Sequence, residues 1–168
     1  MKQQMVHTKS CMAGIFFFMF LVCAGDIYGA GNAVLEDSVT SEMLHKYPSL
    51  TREEVETHYN SGCDSSNMKW VNLCANYGFI SADMKLNKLY KKLRGNLRGT
   101  NAEKKLIQAQ RAWIVFRDAS CAYENDAYTG RWLHPTIQSC KTTFTEKRNQ
   151  QLTEYLKCTE PGCPGEWK

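Results

Sequence analysis

The sequence predicts an all-α fold: a disulfide-stapled antiparallel three-helix bundle with a short extra helix near the N-terminus. Three observations support this prediction. Apolar residues recur at alternating spacings of three and four in three stretches, which is typical of amphipathic helices. Glycine and proline separate these stretches. Six cysteines follow the first 25 residues, and an even number in a small exported chain favours disulfides.

The first 25 residues have the layout of a secretory signal peptide. Lys2 and Lys9 precede an apolar run, residues 12–25, that is shorter than the about 20 residues a membrane-spanning helix needs. Small residues near its end place cleavage between residues 24 and 30. We therefore expect a periplasmic or secreted protein. A lipid anchor on Cys23 is less favoured, because Val22 stands where a small residue would be expected.

Residues 26–62 form an acidic N-terminal arm. Residues 26–60 carry seven acidic and two basic side chains, a net charge of −5, whereas residues 61–168 carry seventeen basic and ten acidic side chains, a net charge of +7. Thr51 with Glu54 matches a capping box and predicts a short helix after Pro48. The rest of the arm lacks strong periodicity, so we expect it to be loosely held over the basic body.

Three longer helices follow the arm. The first runs from about residue 65 to 97, the second covers residues 106–124, and the third begins near Pro135, which suits the first turn of a helix. Short connections favour antiparallel packing. The tail, residues 158–168, is too rich in proline and glycine for a helix. The apolar faces supply the predicted core residues Leu86, Leu93, Leu106, Trp113, Phe116 and Phe144.

The helical arrangement restricts how the cysteines pair. Cys158 lies eighteen residues beyond Cys140, which is roughly 27 Å along a helix. A disulfide needs Cα atoms within about 7 Å. Cys158 is therefore expected to pair with Cys163.

The other four cysteines allow two pairings, and the start of the first long helix decides between them. If it begins at residue 65 or 66, Cys74 is carried too far from Cys63, which favours Cys74 with Cys121 and Cys63 with Cys140. If it begins nearer Trp70, Cys63 pairs with Cys74 and Cys121 with Cys140. The helix boundary therefore fixes the covalent framework.

Charged residues on the second helix are expected to form a structural polar network inside the bundle. Arg117 is expected to contact Asp83 on the first helix, and Asp118 to contact Arg148 on the third, because buried charges persist only when they are paired. Adjacent helical residues point about 100° apart, so Arg117 and Asp118 are not expected to serve one small site. Such a network would fix which helix faces which.

The connection after the second helix is the candidate for binding a partner. Arg131, Trp132 and His134 place a base, a large aromatic ring and an imidazole close to Gly130. Preorganised aromatic residues and arginines carry much of the energy of protein interfaces. The competing interpretation is that Trp132 and Leu133 fold inward and cap the bundle.

No pattern in the sequence indicates catalysis, a cofactor or a metal site. His45, His58 and His134 stand apart, without a second ligand at metal-binding spacing. There is no Ser/His/Asp grouping, nucleophile elbow or phosphate-binding glycine loop. Oxidised cysteines would leave no thiol nucleophile. We therefore expect a binding protein rather than an enzyme, and export argues against nucleic acid as its partner.

Three segments together resemble a known family. They are NLCANYGFISADMKLNKLYKKL, LIQAQRAWIVFRDASCAYE and SCKTTFTEKRNQQLTEYL, and the most specific part is QRAWIVFRDASC with LNKLY before it. These segments resemble the LprI-like lysozyme inhibitor domain, a small exported helical module of bacteria. We place that domain at residues 63–157. The acidic arm and the CTEPGC ending depart from the family pattern.

The resemblance implies a protein that inhibits a lysozyme. A lysozyme cleaves glycosidic bonds with two carboxyl groups in a sugar-sized cleft, so a protruding loop with Arg131 or His134 could occupy that cleft. Lysozymes are commonly basic, so the basic body would repel one unless the acidic arm makes first contact. The alternative is a cell-envelope module that binds anionic lipid or cell-wall polymer through the lysine-bearing helix face.

Overall fold

The computed structural model describes residues 26–60, 63 and 66–164, and this part of the chain is helical, without a β-strand. The all-α class is therefore confirmed, with five α-helices. The predicted signal peptide lies outside the described residues. Within the described part, no helix has the length and apolar character needed to cross a membrane. The elements are α1 (Asp26–Lys46), α2 (Arg52–Asn60), α3 (Met68–Asn96), α4 (Asn101–Glu124), a 3-10 turn (Gly130–Trp132) and α5 (Leu133–Lys157).

Local capping defines where α3 ends and α4 begins. Gly99, which follows the end of α3, has a φ of +79°. This conformation favours glycine and allows the chain to reverse direction. The Thr100 side chain then accepts a hydrogen bond from the backbone N–H of Glu103 at 3.2 Å, and the Glu103 carboxylate accepts one from the Gly99 N–H at 2.9 Å. This reciprocal capping box starts α4 at Asn101, five residues earlier than the apolar spacing predicted.

The acidic arm is helical and packs against α3, so the expectation of a loosely held arm is wrong for its described residues. Val39, Met43 and Val55 are fully buried and form a core with the first half of α3. The buried stripe of α1 is narrow and includes the polar Thr40. Its hydrophobic periodicity is therefore weak, which explains why the sequence did not reveal this helix.

The second core lies between the second half of α3, the first half of α4 and the second half of α5. It is built from buried leucines with partly buried aromatic and aliphatic side chains around them. α5 packs extensively along α3, whereas α4 contacts both of these helices less extensively. The buried members of this core are Leu86, Leu93, Leu97 and Leu152.

One predicted core residue is misplaced. Leu86 and Leu93 are buried, while Leu106, Trp113 and Phe144 are partly buried. Phe116 is 58% exposed, so its assignment to the core is wrong. The inward face of α4 is used by Gln110, Arg117 and Cys121 instead, which rotates Phe116 to the outside.

The disulfides follow the second of the two pairings. The favoured pairing of Cys74 with Cys121 and of Cys63 with Cys140 is wrong, because α3 begins at Met68 rather than at residue 65. Only six helical residues, about 9 Å, then separate the helix start from Cys74, and the five-residue span from Cys63 to Met68 can return that distance. The observed pairs, each with a Cα–Cα distance of 5.7 Å, are Cys63–Cys74, Cys121–Cys140 and Cys158–Cys163.

Candidate functional site

Arg117 is the centre of a buried polar cluster that joins α3, α4 and α5. The residue is 5% exposed. Its Nη1 donates a hydrogen bond to Thr145 Oγ1 at 3.3 Å and lies 3.5 Å from Asp83 Oδ1. Its Nε donates to Asp118 Oδ1 at 2.9 Å. The guanidinium therefore has an acceptor on each of the three helices.

The cluster differs from the predicted network in two ways. Arg117 and Asp118 do act together, because the long arginine side chain reaches its neighbour despite the angle between them. Asp118 does not contact Arg148; its second cation is Lys141, whose Nζ lies 3.3 Å away. Arg148 donates instead to Gln110 Oε1 at 3.1 Å. The predicted contact of Arg117 with Asp83 is observed, whereas the predicted contact of Asp118 with Arg148 is wrong.

Two buried arginines lie close to the Trp113 ring. The guanidinium carbons of Arg117 and Arg148 lie 5.3 Å and 5.7 Å from the ring centroid. Burial lowers the pKa of Arg148, which bonds to neutral amides and is in none of the ion pairs between described residues. The aromatic face partly offsets the cost of removing this cation from water. Because both arginines are buried, they stabilise the fold and are not available to a partner.

Asp118 lies at the edge of the cluster, with 43% of its side chain exposed. Burial alone would raise the pKa of Asp118. Hydrogen bonds and charge attraction from Arg117 and Lys141 outweigh burial and lower this pKa below its ordinary value. The carboxylate therefore stays ionised and paired into the acidic range.

The α4–α5 loop, residues 125–132, is anchored at both ends. The Cys121–Cys140 disulfide joins the two helices that it connects. Asn125 is buried, and its side chain donates to the Cys121 carbonyl oxygen at 2.9 Å. Gly130 has a φ of +61°, a conformation that favours glycine. Pro135 is buried just beyond the loop. The loop is therefore short and restrained.

The restrained loop presents a base and two aromatic rings to solvent. Arg131 is exposed and takes part in none of the ion pairs between described residues. Trp132 and Tyr128 are 47% and 49% exposed. About half of the Trp132 side chain is therefore exposed, and the interpretation that this residue folds inward as a cap is wrong for that half. Tyr128 extends the predicted set and was not singled out by the sequence.

His134 has a different environment from Arg131 and Trp132. Its Nε2 lies within hydrogen-bond distance, 3.2 Å, of the Oδ1 of Asn76, a buried residue of α3. The imidazole therefore ties the start of α5 to α3. Its position makes His134 a residue that holds the loop in place.

A shallow groove of about 780 Å³ runs beside the loop, between α3 and α5. Its lining includes the Cys63–Cys74 disulfide, the aromatic side chains of Tyr128 and Trp132, and Gly78. Sequence reasoning missed the groove, because it exists only where α3 and α5 pack side by side.

Opposite charges lie toward opposite ends of α3. The acidic helices α1 and α2 pack near Leu73 and Tyr77, and the loop is tied to Asn76 in the same part of α3. Apart from Lys69, which pairs with Glu54 of α2 at 3.0 Å, the exposed lysines of α3 begin at Lys85 and reach about 24 Å beyond Asn76 along the helix. No group of three or more His, Cys, Asp or Glu side chains that could hold a metal occurs within the described residues. The exposed lysines in the second half of α3 are Lys85, Lys88, Lys91 and Lys92.

Comparison with known proteins places these features in a family. The family model described as "Lysozyme inhibitor LprI" matches residues 63–152. An uncharacterized protein of Rhizobium meliloti (strain 1021) is 30% identical over 103 residues, covering 54% of this chain and 74% of the relative. No solved structure matches. The family match includes the Arg117 cluster, the α4–α5 loop and two disulfides, and it excludes α1 and α2.

Proposed function

The chain belongs to the lysozyme inhibitor LprI family, and we propose that it inhibits a lysozyme by inserting the α4–α5 loop into the active-site cleft. The family is one of inhibitors rather than of catalysts, so binding is the activity expected. The observation that carries the proposal is the exposure of Arg131 and Trp132 on a loop that the Cys121–Cys140 disulfide and Asn125 restrain. A restrained loop loses little conformational entropy on binding.

The exposed side chains suit the chemistry of a lysozyme cleft. Such a cleft places two carboxyl groups beside a surface that binds sugar rings. The guanidinium of Arg131 can pair with a carboxylate through two parallel hydrogen bonds. Trp132 and Tyr128 offer flat apolar faces with a polar edge, as sugar-binding surfaces accept. His134, which contacts Asn76, would act by positioning the loop rather than by entering the cleft.

The charge distribution supports an approach by the loop end. Lysozymes are commonly basic, and the exposed lysines in the second half of α3 lie away from the loop. The acidic side chains of α1 and α2 border the same part of α3 as the loop. We expect these acids to steer a basic enzyme toward the loop and to raise the association rate at low salt.

The proposal also assigns a role to each segment of the chain. Residues 1–25 would act as a signal peptide and direct the mature protein to the periplasm or the exterior. Residues 26–62 would form the steering arm, residues 63–157 the inhibitor domain and residues 158–168 a disulfide-closed tail. Within the inhibitor domain we propose that α3, α4 and α5 act as an antiparallel three-helix bundle.

The test is a turbidity assay of cell-wall lysis by a chicken-type lysozyme, with the oxidised protein, residues 26–168, added at increasing concentration. We expect inhibition, and we expect Arg131→Ala combined with Trp132→Ala to weaken it at least tenfold, at an unchanged melting temperature. The matched control is Arg98→Ala, which removes an exposed arginine from the connection between α3 and α4. Equal inhibition by the double variant and the control would exclude the loop as the inhibitory element.

A cell-envelope binding module is the second candidate function, favoured by the four exposed lysines in the second half of α3. Replacing Lys88, Lys91 and Lys92 with glutamine should then abolish cosedimentation with anionic lipid vesicles. Binding should also collapse as salt rises, because exposed charges are screened. Vesicle binding that survives both changes would rule out this surface.

A further inference from the structure

α4 exposes an apolar face on the side opposite Arg117, and Phe116 at the edge of this face also contacts Phe144 of α5, with ring centroids 5.8 Å apart. Val115 is 69% exposed and Phe116 is 58% exposed, next to Ile114 at 39%. Tyr123, two turns further along, is almost fully exposed. Large apolar side chains at adjacent exposed positions of one helix are unusual for an isolated surface. They need a partner to remove them from water.

This face has the shape of a helix-packing surface. Its residues recur at spacings of three and four on the side of α4 opposite Arg117, and most of them are small, so another helix could approach its backbone closely. Charged residues are absent from the centre of this stripe. The members, all exposed, are Gln108, Ala112, Val115, Ala119 and Ala122.

Charges of opposite sign flank the stripe on one side. Arg111 is exposed and lies four residues before Val115, while Asp118 lies three residues after it with 43% of its side chain exposed. At 100° per residue, both point to the same flank of α4. Phe116 and Tyr123 lie on the other flank. The face therefore carries a guanidinium before Val115 and, after Val115, a partly exposed carboxylate whose Oδ1 also pairs with Arg117 and Lys141.

We propose that this face binds a second copy of the same chain, with two α4 helices antiparallel about a two-fold axis near Val115. A two-fold axis brings the same flanks of the two helices together and reverses their order. Arg111 then lies opposite Asp118 of the partner subunit, and the reciprocal pair forms at the other end. Phe116 meets Phe116 of the partner subunit near the axis, where aromatic pairs add to the apolar contact.

The charge pattern favours a second copy over an unrelated partner. The face is complementary to itself only in the antiparallel arrangement, since a parallel pair about a two-fold axis would place the flank of Arg111 against the apolar flank of Phe116 of the partner subunit. The contact is also compatible with inhibition. The α4–α5 loop follows the C-terminal end of α4, so the two loops of an antiparallel dimer would lie at opposite ends and remain free.

The expected dimer is weak. One pair of helices buries little surface compared with the roughly 1,200 Å² of a stable complex. We expect a dissociation constant on the order of 10 to 100 µM. Sedimentation equilibrium of the oxidised protein, residues 26–168, from low to high micromolar concentration should then show a reversible monomer–dimer transition.

Two substitutions test the face itself. Val115→Lys should raise the dissociation constant at least tenfold while leaving the circular dichroism spectrum and melting temperature unchanged. Arg111→Glu should weaken the dimer by a smaller factor, because it places two acidic groups together. Tyr128→Lys, which adds the same charge at another exposed apolar position, is the matched control and should leave the dimer intact.

Cross-linking tests the two-fold axis. Val115→Cys should oxidise to a covalent dimer, because the two introduced thiols meet at the axis. Gln108→Cys is the control, since its position is seven residues from the axis and the two copies would lie about 21 Å apart, too far for a disulfide. A monomer at every concentration, or equal cross-linking of the two variants, would overturn the proposal. So would a dimer that Val115→Lys leaves unchanged.

Discussion

Arginines play opposite roles in two neighbouring regions of this molecule. In the cluster between the helices, Arg117 and Arg148 are buried against Trp113 and bonded on several sides. In the α4–α5 loop, Arg131 is exposed on a restrained backbone. The buried arginines use their bonding capacity within the fold, whereas the exposed one keeps its capacity for a partner. Residue type alone does not separate a structural cation from a binding one; environment does.

The largest expected effect is the loss of Arg117. Arg117→Ala removes a buried cation that bonds Thr145 and lies beside Asp83 and Asp118, and breaking a buried pair of this kind costs about 3 to 5 kcal/mol. We expect urea unfolding to show a loss of this size. Arg98→Ala, an exposed arginine, is the control and should change stability by less than about 0.5 kcal/mol. A stable Arg117→Ala variant would remove the distinction between the two regions.

The second-largest expected effect concerns the Cys121–Cys140 disulfide, which lies between the buried cluster and the α4–α5 loop. Cys121→Ser with Cys140→Ser opens a loop closed over a sequence separation of 19, and loops of this length contribute about 3 kcal/mol. We also expect weaker lysozyme inhibition, because the α4–α5 loop loses an anchor. The control is Cys158→Ser with Cys163→Ser, which opens the short tail loop with a separation of 5. It should leave inhibition unchanged, and an equal loss in both variants would contradict a local role.

The pattern of apolar residues predicted the class of the fold but not its covalent framework. α2, α3 and α5 follow from capping residues, an apolar face and Pro135, which are local properties. The disulfide pairing depended on whether α3 begins at residue 65 or at Met68. A shift of three residues moves Cys74 by about 4.5 Å relative to Cys63. Sequence periodicity does not determine helix ends to that accuracy, so it could not decide between the pairings.

The candidate site was predicted in part, for a similar reason. Arg131 and Trp132 could be singled out because a loop residue has few competing contacts. The positioning role of His134 could not, since it depends on Asn76, 58 residues away in the sequence. Phe116 was misassigned because α4 carries apolar residues on two faces, and the buried Arg117 decides which face turns inward.

His134 lies at the border of the two regions, and its loss should have an intermediate effect. His134→Ala removes the contact with Asn76 and leaves a buried oxygen without this partner, which costs about 1 kcal/mol or somewhat more. Inhibition should weaken because the loop shifts, without a change in the groups that enter the cleft. His134→Gln, which can keep a hydrogen bond to Asn76, is the conservative control and should recover most of both losses. Failure of His134→Gln to recover inhibition would indicate direct contact with the enzyme.

Protonation of Asp118 on acidification should produce the smallest of these effects. The pKa of Asp118 is lowered in the folded protein, so its pairing stabilises the fold above the unfolded pKa of about 4 and is lost as pH falls through the lower folded value. With 43% of the side chain exposed, solvent screening keeps this contribution below about 1 kcal/mol. Other carboxylates with lowered pKa values, Glu54 and Glu103, add to the acid sensitivity of the whole chain.

The comparison of the wild type with Asp118→Asn isolates the part that belongs to the cluster, because asparagine keeps an acceptor for Arg117 but does not titrate. Melting temperatures measured at low micromolar concentration should differ between the two proteins at pH 6 and converge near pH 2. A difference that stays constant over this range would mean that Asp118 acts through hydrogen bonding alone, without a contribution from its charge.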